Sequence, residues 1–205
     1  IEILALGNAI VDVLSHVDDA VIESLAVNKG AMTLIGAGEA QEMYSALGPG
    51  VECSGGSAAN TVVGTAMLGA RTAFVGRVKN DQLGRIFTHD IRAAGVRFDT
   101  APATEGPDTA VCLVMVTPDA HRTMCTHLGA SIELGPDDVD ESLVRGSAVL
   151  YLEGYLWDPP AAREGMRKAI RIARDEGRAV ALSLSDPFCV DRHRIDFLEL
   201  VDNDV

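Results

Sequence analysis

The chain has 205 residues, of which 47% are hydrophobic and 23% charged, and a formal net charge of −13. This composition is typical of a globular domain and excludes a disordered chain, a collagen and a coiled coil. With 17 Lys and Arg against 30 Asp and Glu, a nucleic acid would approach an unfavourable mean field, so we expect no nucleic-acid partner.

The predicted elements alternate along the chain between short apolar runs and helical patterns. The predicted strands are residues 1–7, 72–75, 148–152 and 179–184. The predicted helices, several of which follow Asp or Pro and precede Gly, are residues 18–25, 38–47, 57–68, 81–94 and 159–176. This alternation predicts an α/β fold with a mostly parallel sheet flanked by helices.

Two stretches interrupt the alternation. Residues 11–17 and 109–128 are typical of antiparallel strands, and the second contains a turn at residues 117–120. Such an insertion is often a lid or an oligomer contact; the alternative is an ordinary edge hairpin of the main sheet. Residues 191–205 predict a helix running into the start of a further strand, so we expect a chain that lacks its C-terminal part.

Cysteine usage and hydropathy indicate a cytoplasmic protein. The four cysteines are scattered and form no C-x-x-C pair, which is typical of reduced thiols: Cys53, Cys112, Cys125 and Cys189. No apolar run reaches the roughly 18 residues that span a membrane, and the first residues lack the pattern of a signal peptide. We expect no membrane partner.

A double glycine directly before a predicted helix is the strongest local motif. Gly55 and Gly56 precede the helix that begins at Ser57, so a ligand can approach the backbone closely and meet free N–H groups. Asn60 both donates and accepts hydrogen bonds, which suits vicinal hydroxyls. A helix start that needs a tight turn explains the same residues equally well.

A second motif follows the first predicted strand, where ligands of open α/β sheets collect. Asn8 and Asp12 lie here, and Asp12 is a candidate acceptor for two hydroxyl groups; a solvated turn carboxylate is the alternative. In a third segment, Asp81 is the predicted N-cap of a helix. Arg77 and Lys79 face either an anion or solvent.

Taken in order, these motifs resemble the ribokinase-like (PfkB) carbohydrate kinases, and within them the adenosine kinase-like branch. The resemblance covers essentially the whole chain and is carried by residues 4–12, 53–60, 117–124 and 183–187. It implies a ribokinase-like fold in which residues 1–205 form the N-terminal part of a kinase domain. Residues 11–17 and 109–128 would then be inserted lid segments.

The resemblance also implies a substrate site and a reaction. The implied substrate-binding residues are Asn8, Asp12, Gly55, Gly56, Asn60, Arg122 and Glu153. Arg122 belongs to the lid-like hairpin and either approaches the substrate or pairs on the surface. Val62 and Lys79 differ from the residues common in the family, which leaves the substrate class open. The implied reaction is phosphorylation of the hydroxymethyl group of a sugar or nucleoside with ATP and Mg²⁺, by a monomer or homodimer.

The second family signature, a G-A-G-D-type segment, is absent from these 205 residues, and no Walker-type loop replaces it. In the family, its Asp is the general base and its glycine amides form the anion hole. We therefore expect the catalytic base to lie beyond Val205 and this chain alone to be inactive. The alternative is a non-catalytic sugar- or nucleoside-binding module. A G-x-G-x-x-G dinucleotide loop and a metal-binding His or Cys spacing are both absent.

Overall fold

The computed structural model describes residues 1–205 and contains ten strands in two sheets. The strands are β1 (Ile3–Leu6), β2 (Ile10–His16), β3 (Met32–Leu34), β4 (Val51–Gly55), β5 (Thr72–Val75), β6 (Arg97–Phe98), β7 (Ala110–Val116), β8 (Arg122–His127), β9 (Val149–Glu153) and β10 (Ala179–Ser183). The α-helices are α1 (Asp19–Ser24), α2 (Ala37–Ala46), α3 (Ser57–Met67), α4 (Gln82–Ala93), α5 (Glu141–Arg145), α6 (Pro160–Asp175) and α7 (Pro187–Asn203). Three short 3-10 helices complete the fold: Gly129–Glu133, Pro136–Asp138 and Gly154–Trp157.

The first sheet is entirely parallel and has the strand order β10-β9-β1-β5-β6. In the central strand, Ala5 lies beside Phe74 of β5 and Tyr151 of β9. Strands that are covered on both faces form continuous apolar runs, which is why the sequence showed them clearly. The predicted α/β fold with a mostly parallel sheet flanked by helices is confirmed.

Two apolar cores cover the faces of this sheet. On one face, Leu150 packs with Trp157 and with side chains of α5, α6 and α7. On the other face, Phe74 of β5, Phe87 of α4 and Phe98 of β6 form an aromatic cluster with centroid separations of 5.3–6.0 Å. Each such side chain, once buried, contributes about 1.5–3 kcal/mol. Burial of apolar side chains on both faces therefore stabilises the first sheet.

The second sheet is mixed and has the order β3-β8-β7-β2-β4. Its central pair, β2 and β7, is parallel, while β2 with β4 and β7 with β8 are antiparallel. The segments predicted as insertions, 11–17 and 109–128, thus lie in a separate sheet, and the edge-hairpin alternative is wrong. The parallel pairing of β2 with β7 also departs from the antiparallel arrangement expected of these segments.

The two faces of the second sheet differ. One face carries Val13, Leu113 and Met115, which are buried in the core that also contains side chains of α1 and α2. The opposite face is exposed towards its edges, where Leu34 and Val51 are 60% and 68% exposed, whereas Cys112 at its centre is buried. Alternate residues of β2 therefore point into the core or onto this open face.

The end of the chain corrects one prediction, because α7 continues to Asn203 and no strand begins there. Phe197 and Leu200 are buried at helical spacing, and Phe197 packs edge-on against Trp157. The indole N–H of Trp157 donates to Asp196 Oδ2 at 2.7 Å. These contacts favour a helix over the strand that the apolar run suggested. None of the helices combines the length and apolar character needed to cross a bilayer.

Candidate functional site

The double glycine connects the end of β4 to the start of α3. Gly56 is the N-cap of α3 and has φ +96°, in the left-handed region that favours glycine. A Cβ at this position would overlap the carbonyl oxygen of Asn8, and a Cβ at Gly55 would overlap the carboxyl group of Asp12. Both glycines are therefore required by close packing against the segment that follows β1.

Asp12 is the central acidic residue of the site. It lies on β2, opposite Cys53 of β4 and Cys112 of β7, on the open face of the second sheet. Its carboxylate is half-buried against Gly55 and accepts no hydrogen bond or ion pair from the chain. Burial raises the pKa of Asp12 to about 6, against the opposing effect of the Arg122 charge. A carboxylate with unfilled acceptor positions suits a ligand that donates several hydrogen bonds.

Asn60 lies in the first turn of α3, near the double glycine. Its backbone N–H donates to the Gly56 carbonyl at 2.9 Å, whereas its side chain is exposed and makes no hydrogen bond within the chain. The amide is thus free to donate and accept. Asp12 packs on Gly55, directly before the helix that carries Asn60, so the structure brings these predicted residues into one region.

Glu153 lies deeper, at the carboxyl end of β9. It is 1% exposed and accepts hydrogen bonds from the backbone N–H of Asn8 at 2.6 Å, the Asn8 side-chain amide at 3.0 Å and the hydroxyl of Ser57. Burial raises the pKa of Glu153, while the bonds from Ser57 and Asn8 favour its ionised form. Direct contact of Glu153 with a substrate stays a prediction, because the carboxylate lies beneath Asn8 and Ser57.

The cations predicted near the site have different environments. Arg122, the first residue of β8, is exposed and has no partner within the chain. Arg77 donates two hydrogen bonds of 3.1 Å to Asp138, and Lys79 donates to Asp108 at 3.0 Å. Only Arg122 among these three therefore has its charge free for a ligand.

The sequence alone assigned no role to Ser57, whose hydroxyl the structure places against Glu153. Its hydroxyl lies one helical turn from Asn60 and is held by Glu153, a residue distant in the chain. The S-A-A-N spacing, which places Ser57 and Asn60 on one side of α3, was the available signal.

The larger clefts of the structure lie away from Asp12 and the double glycine. No group of three His, Cys, Asp or Glu side chains is arranged to hold a metal ion. In kinases Mg²⁺ is usually held by one or two carboxylates together with the phosphates of the substrate, and it does not need such a cluster. A cleft of about 470 Å³ lies elsewhere, between α6 and α7, and is lined mostly by charged side chains. Asp12, Gly55, Gly56 and Asn60 instead border an open region where β4 ends and α3 begins, which we call the shelf.

The fold and its similarity to known proteins place this α/β chain in the sugar and nucleoside kinase class. Residues 30–202 match the pfkB family of carbohydrate kinases, so the chain belongs to this family. A 5-dehydro-2-deoxygluconokinase from Shouchella clausii is 32% identical over 135 residues, and the match covers 63% of this chain and 41% of that protein.

Solved structures of this class superimpose closely. An adenosine kinase from Sinorhizobium meliloti is 54% identical with a TM-score of 0.89, over 97% of this chain and 61% of that chain. A probable sugar kinase from Rhizobium etli is 50% identical with a TM-score of 0.90, over 97% and 60%. An Anopheles gambiae adenosine kinase, at 21% identity and a TM-score of 0.83 over 97% and 61%, shows the ribokinase-like fold alone. The chain thus spans about three fifths of these structures.

Proposed function

We propose that these residues form the substrate-binding part of a kinase that phosphorylates the hydroxymethyl group of a neutral ribose-like sugar or nucleoside. The observation that carries the proposal is the pair of unpartnered polar side chains on the shelf, the Asp12 carboxylate and the Asn60 amide. Both flank a backbone made of Gly55 and Gly56, which has no side chains to block a sugar ring.

Each residue has a role that follows from its hydrogen-bonding capacity. Asp12 accepts hydrogen bonds from two adjacent hydroxyls, since both of its oxygens are free. Asn60 accepts from one hydroxyl and donates to another. Held at both ends, the sugar presents its remaining hydroxymethyl group in one direction. Such positioning contributes a large part of the rate in phosphoryl transfer.

Charge favours a neutral substrate. Asp12 borders the shelf, Glu153 lies buried beneath Asn8 and Ser57, and Arg122 is exposed without a partner within the chain. A sugar acid would bring a further negative charge close to these carboxylates, whose repulsion is weakly screened in a half-buried site. The adenosine kinase from Sinorhizobium meliloti, at 54% identity, points to the same choice. We therefore favour a nucleoside such as adenosine over the sugar acid to which the name 5-dehydro-2-deoxygluconokinase refers.

The phosphoryl donor is ATP, as family membership implies. The 205 residues contain neither the G-A-G-D-type segment nor a Walker-type loop, so no step of the transfer is assigned to them. We propose that they bind the acceptor substrate and are inactive by themselves, since no matched base is present to take the proton of the attacking hydroxyl.

The test is ATP consumption with adenosine, ribose, fructose and 5-dehydro-2-deoxygluconate as substrates. We expect turnover by the intact gene product, fastest with a neutral substrate, and none by the 205-residue chain. Binding of adenosine or a sugar without turnover by either protein would support the non-catalytic binding module instead. Preference for the sugar acid would overturn the choice of a neutral substrate.

A further inference from the structure

Glu153 is an unusual carboxylate because it is buried without a cation. Its contacts are all neutral donors: the Asn8 backbone N–H, the Asn8 side-chain amide and the Ser57 hydroxyl. A buried charge is tolerated only when several hydrogen bonds and dipoles stabilise it. Ser57 is the first residue of α3, so the positive end of the helix dipole also faces this carboxylate.

The position of Glu153 connects three chain segments that the proposed site requires. Glu153 ends β9, Asn8 follows β1, and Ser57 begins α3. Asn8 begins the turn that leads to Asp12, and Ser57 begins the helical turn that carries Asn60. The two halves of the shelf are therefore joined through one buried carboxylate.

The hydrogen bond from Ser57 also sets the chemistry of its hydroxyl. A serine hydroxyl carries one proton and two lone pairs. Because the proton is donated to Glu153, the oxygen can offer only acceptor lone pairs to a ligand. Ser57 is exposed and lies one turn from Asn60, so this acceptor faces the same shelf.

We propose that Glu153 is a positioning residue of the substrate site, which acts through Asn8 and Ser57. It holds the turn after β1 against the start of α3 and makes the Ser57 hydroxyl an acceptor for a substrate hydroxyl. The choice of ligand, a neutral polyhydroxyl compound, rests on the proposed function. The contacts of Glu153 with Asn8 and Ser57 do not depend on it.

The test is calorimetric titration of adenosine and ribose into the 205-residue chain and its variants. In Glu153→Gln, an NH₂ group replaces one acceptor oxygen and faces donors, so we expect adenosine binding at least about tenfold weaker. Ser57→Ala should weaken binding similarly, whereas Ser57→Thr retains a hydroxyl and should restore it. Glu164→Gln, a change of an exposed α6 carboxylate without partners, is the matched control and should bind as the wild type does.

The double variant Glu153→Gln with Ser57→Ala separates positioning from a merely structural role. If Glu153 acts through Ser57 as well as Asn8, the double variant should bind little worse than Glu153→Gln alone. Fully additive losses, or wild-type affinity in Glu153→Gln, would overturn the proposal. If Glu153→Gln does not fold, the two Ser57 variants test the proposal instead. Equal binding of adenosine by Ser57→Ala and Ser57→Thr would overturn the proposal.

Amide hydrogen exchange tests the geometry independently of any ligand. The Asn8 N–H, bound to a buried carboxylate, should exchange slowly in the wild type and faster in Glu153→Gln, without change along α6. If the wild type binds neither adenosine nor ribose, the proposed function fails, and this measurement alone judges the positioning role. Unchanged exchange at Asn8 would then contradict it.

Discussion

All four residues of β5 in the first sheet are buried, whereas β2 of the second sheet alternates between core and open positions. The first sheet has helices on both faces, so most of its side chains are buried in the two cores and contribute to stability. The second sheet has helices on one face only, which leaves alternate positions such as Asp12 available to a ligand. The difference shows why the candidate site lies where the two sheets meet and not within either core.

The largest expected effect compares one leucine from each region. Leu150→Ala removes a fully buried side chain of the first sheet and should lower the free energy of unfolding by about 2–5 kcal/mol. Leu34→Ala shortens a 60% exposed side chain of the second sheet and should change the free energy of unfolding by less than about 0.5 kcal/mol. Urea denaturation of both variants measures this; equal losses would show that the second sheet is covered in solution.

The second prediction concerns the backbone at the junction. Gly56→Ala places a Cβ at φ +96° against the Asn8 carbonyl. We expect the free energy of unfolding to fall by about 1–3 kcal/mol and the affinity for adenosine to fall as well. Gly64→Ala, in the same helix with open space around it, is the matched control. Its stability should rise by roughly 0.5–1 kcal/mol, because alanine favours helix. Thermal unfolding and calorimetry would contradict the account if both variants behaved alike.

The third prediction separates affinity from stability. Gly55→Ala should displace the Asp12 carboxyl group and weaken adenosine binding about tenfold, equivalent to roughly 1.4 kcal/mol. Gly38→Ala, at an exposed position of α2 without neighbours, should leave binding unchanged. Titration calorimetry measures both. Wild-type affinity in Gly55→Ala would mean that the position of Asp12 is not critical.

The fourth prediction follows from the pKa of Asp12, which burial raises from 3.8 to about 6. If the ionised carboxylate accepts hydroxyls, adenosine affinity should fall about tenfold between pH 7 and pH 5. Protonated Asp12 instead favours the folded state, so its contribution to stability is present below pH 3.8 and is lost as the pH rises through about 6. Asp12→Asn should remove the pH dependence of binding; its persistence would assign the titration to another group.

Sequence reasoning predicted the first sheet well and the second sheet less well. The apolar run of β5 and the bounds of α3 were predicted to within one residue, because their signals are local. The strands β3 and β4 were not predicted, since their exposed, short segments gain strand structure only by pairing with β8 and β2. Non-local pairing leaves little trace in a single sequence.

The same distinction applies to the site. Asp12, Gly55 and Gly56 could be proposed from turn chemistry at a strand end and a helix start. The part played by Ser57 depends on Glu153, 96 residues further along the chain, and no local pattern indicates that contact. Long-range hydrogen bonds of this kind become visible only in the folded structure.

The most direct measurement is titration of adenosine into the 205-residue chain and its Asp12→Asn variant at pH 7. We predict saturable binding of one adenosine by the wild type and binding at least about tenfold weaker in the variant, since a charged acceptor is replaced by a neutral amide. The variant should fold normally, because the Asp12 carboxylate makes no hydrogen bond within the chain and the backbone pairing of Asp12 is unchanged. Equal affinity in both proteins would contradict the assignment of the substrate site.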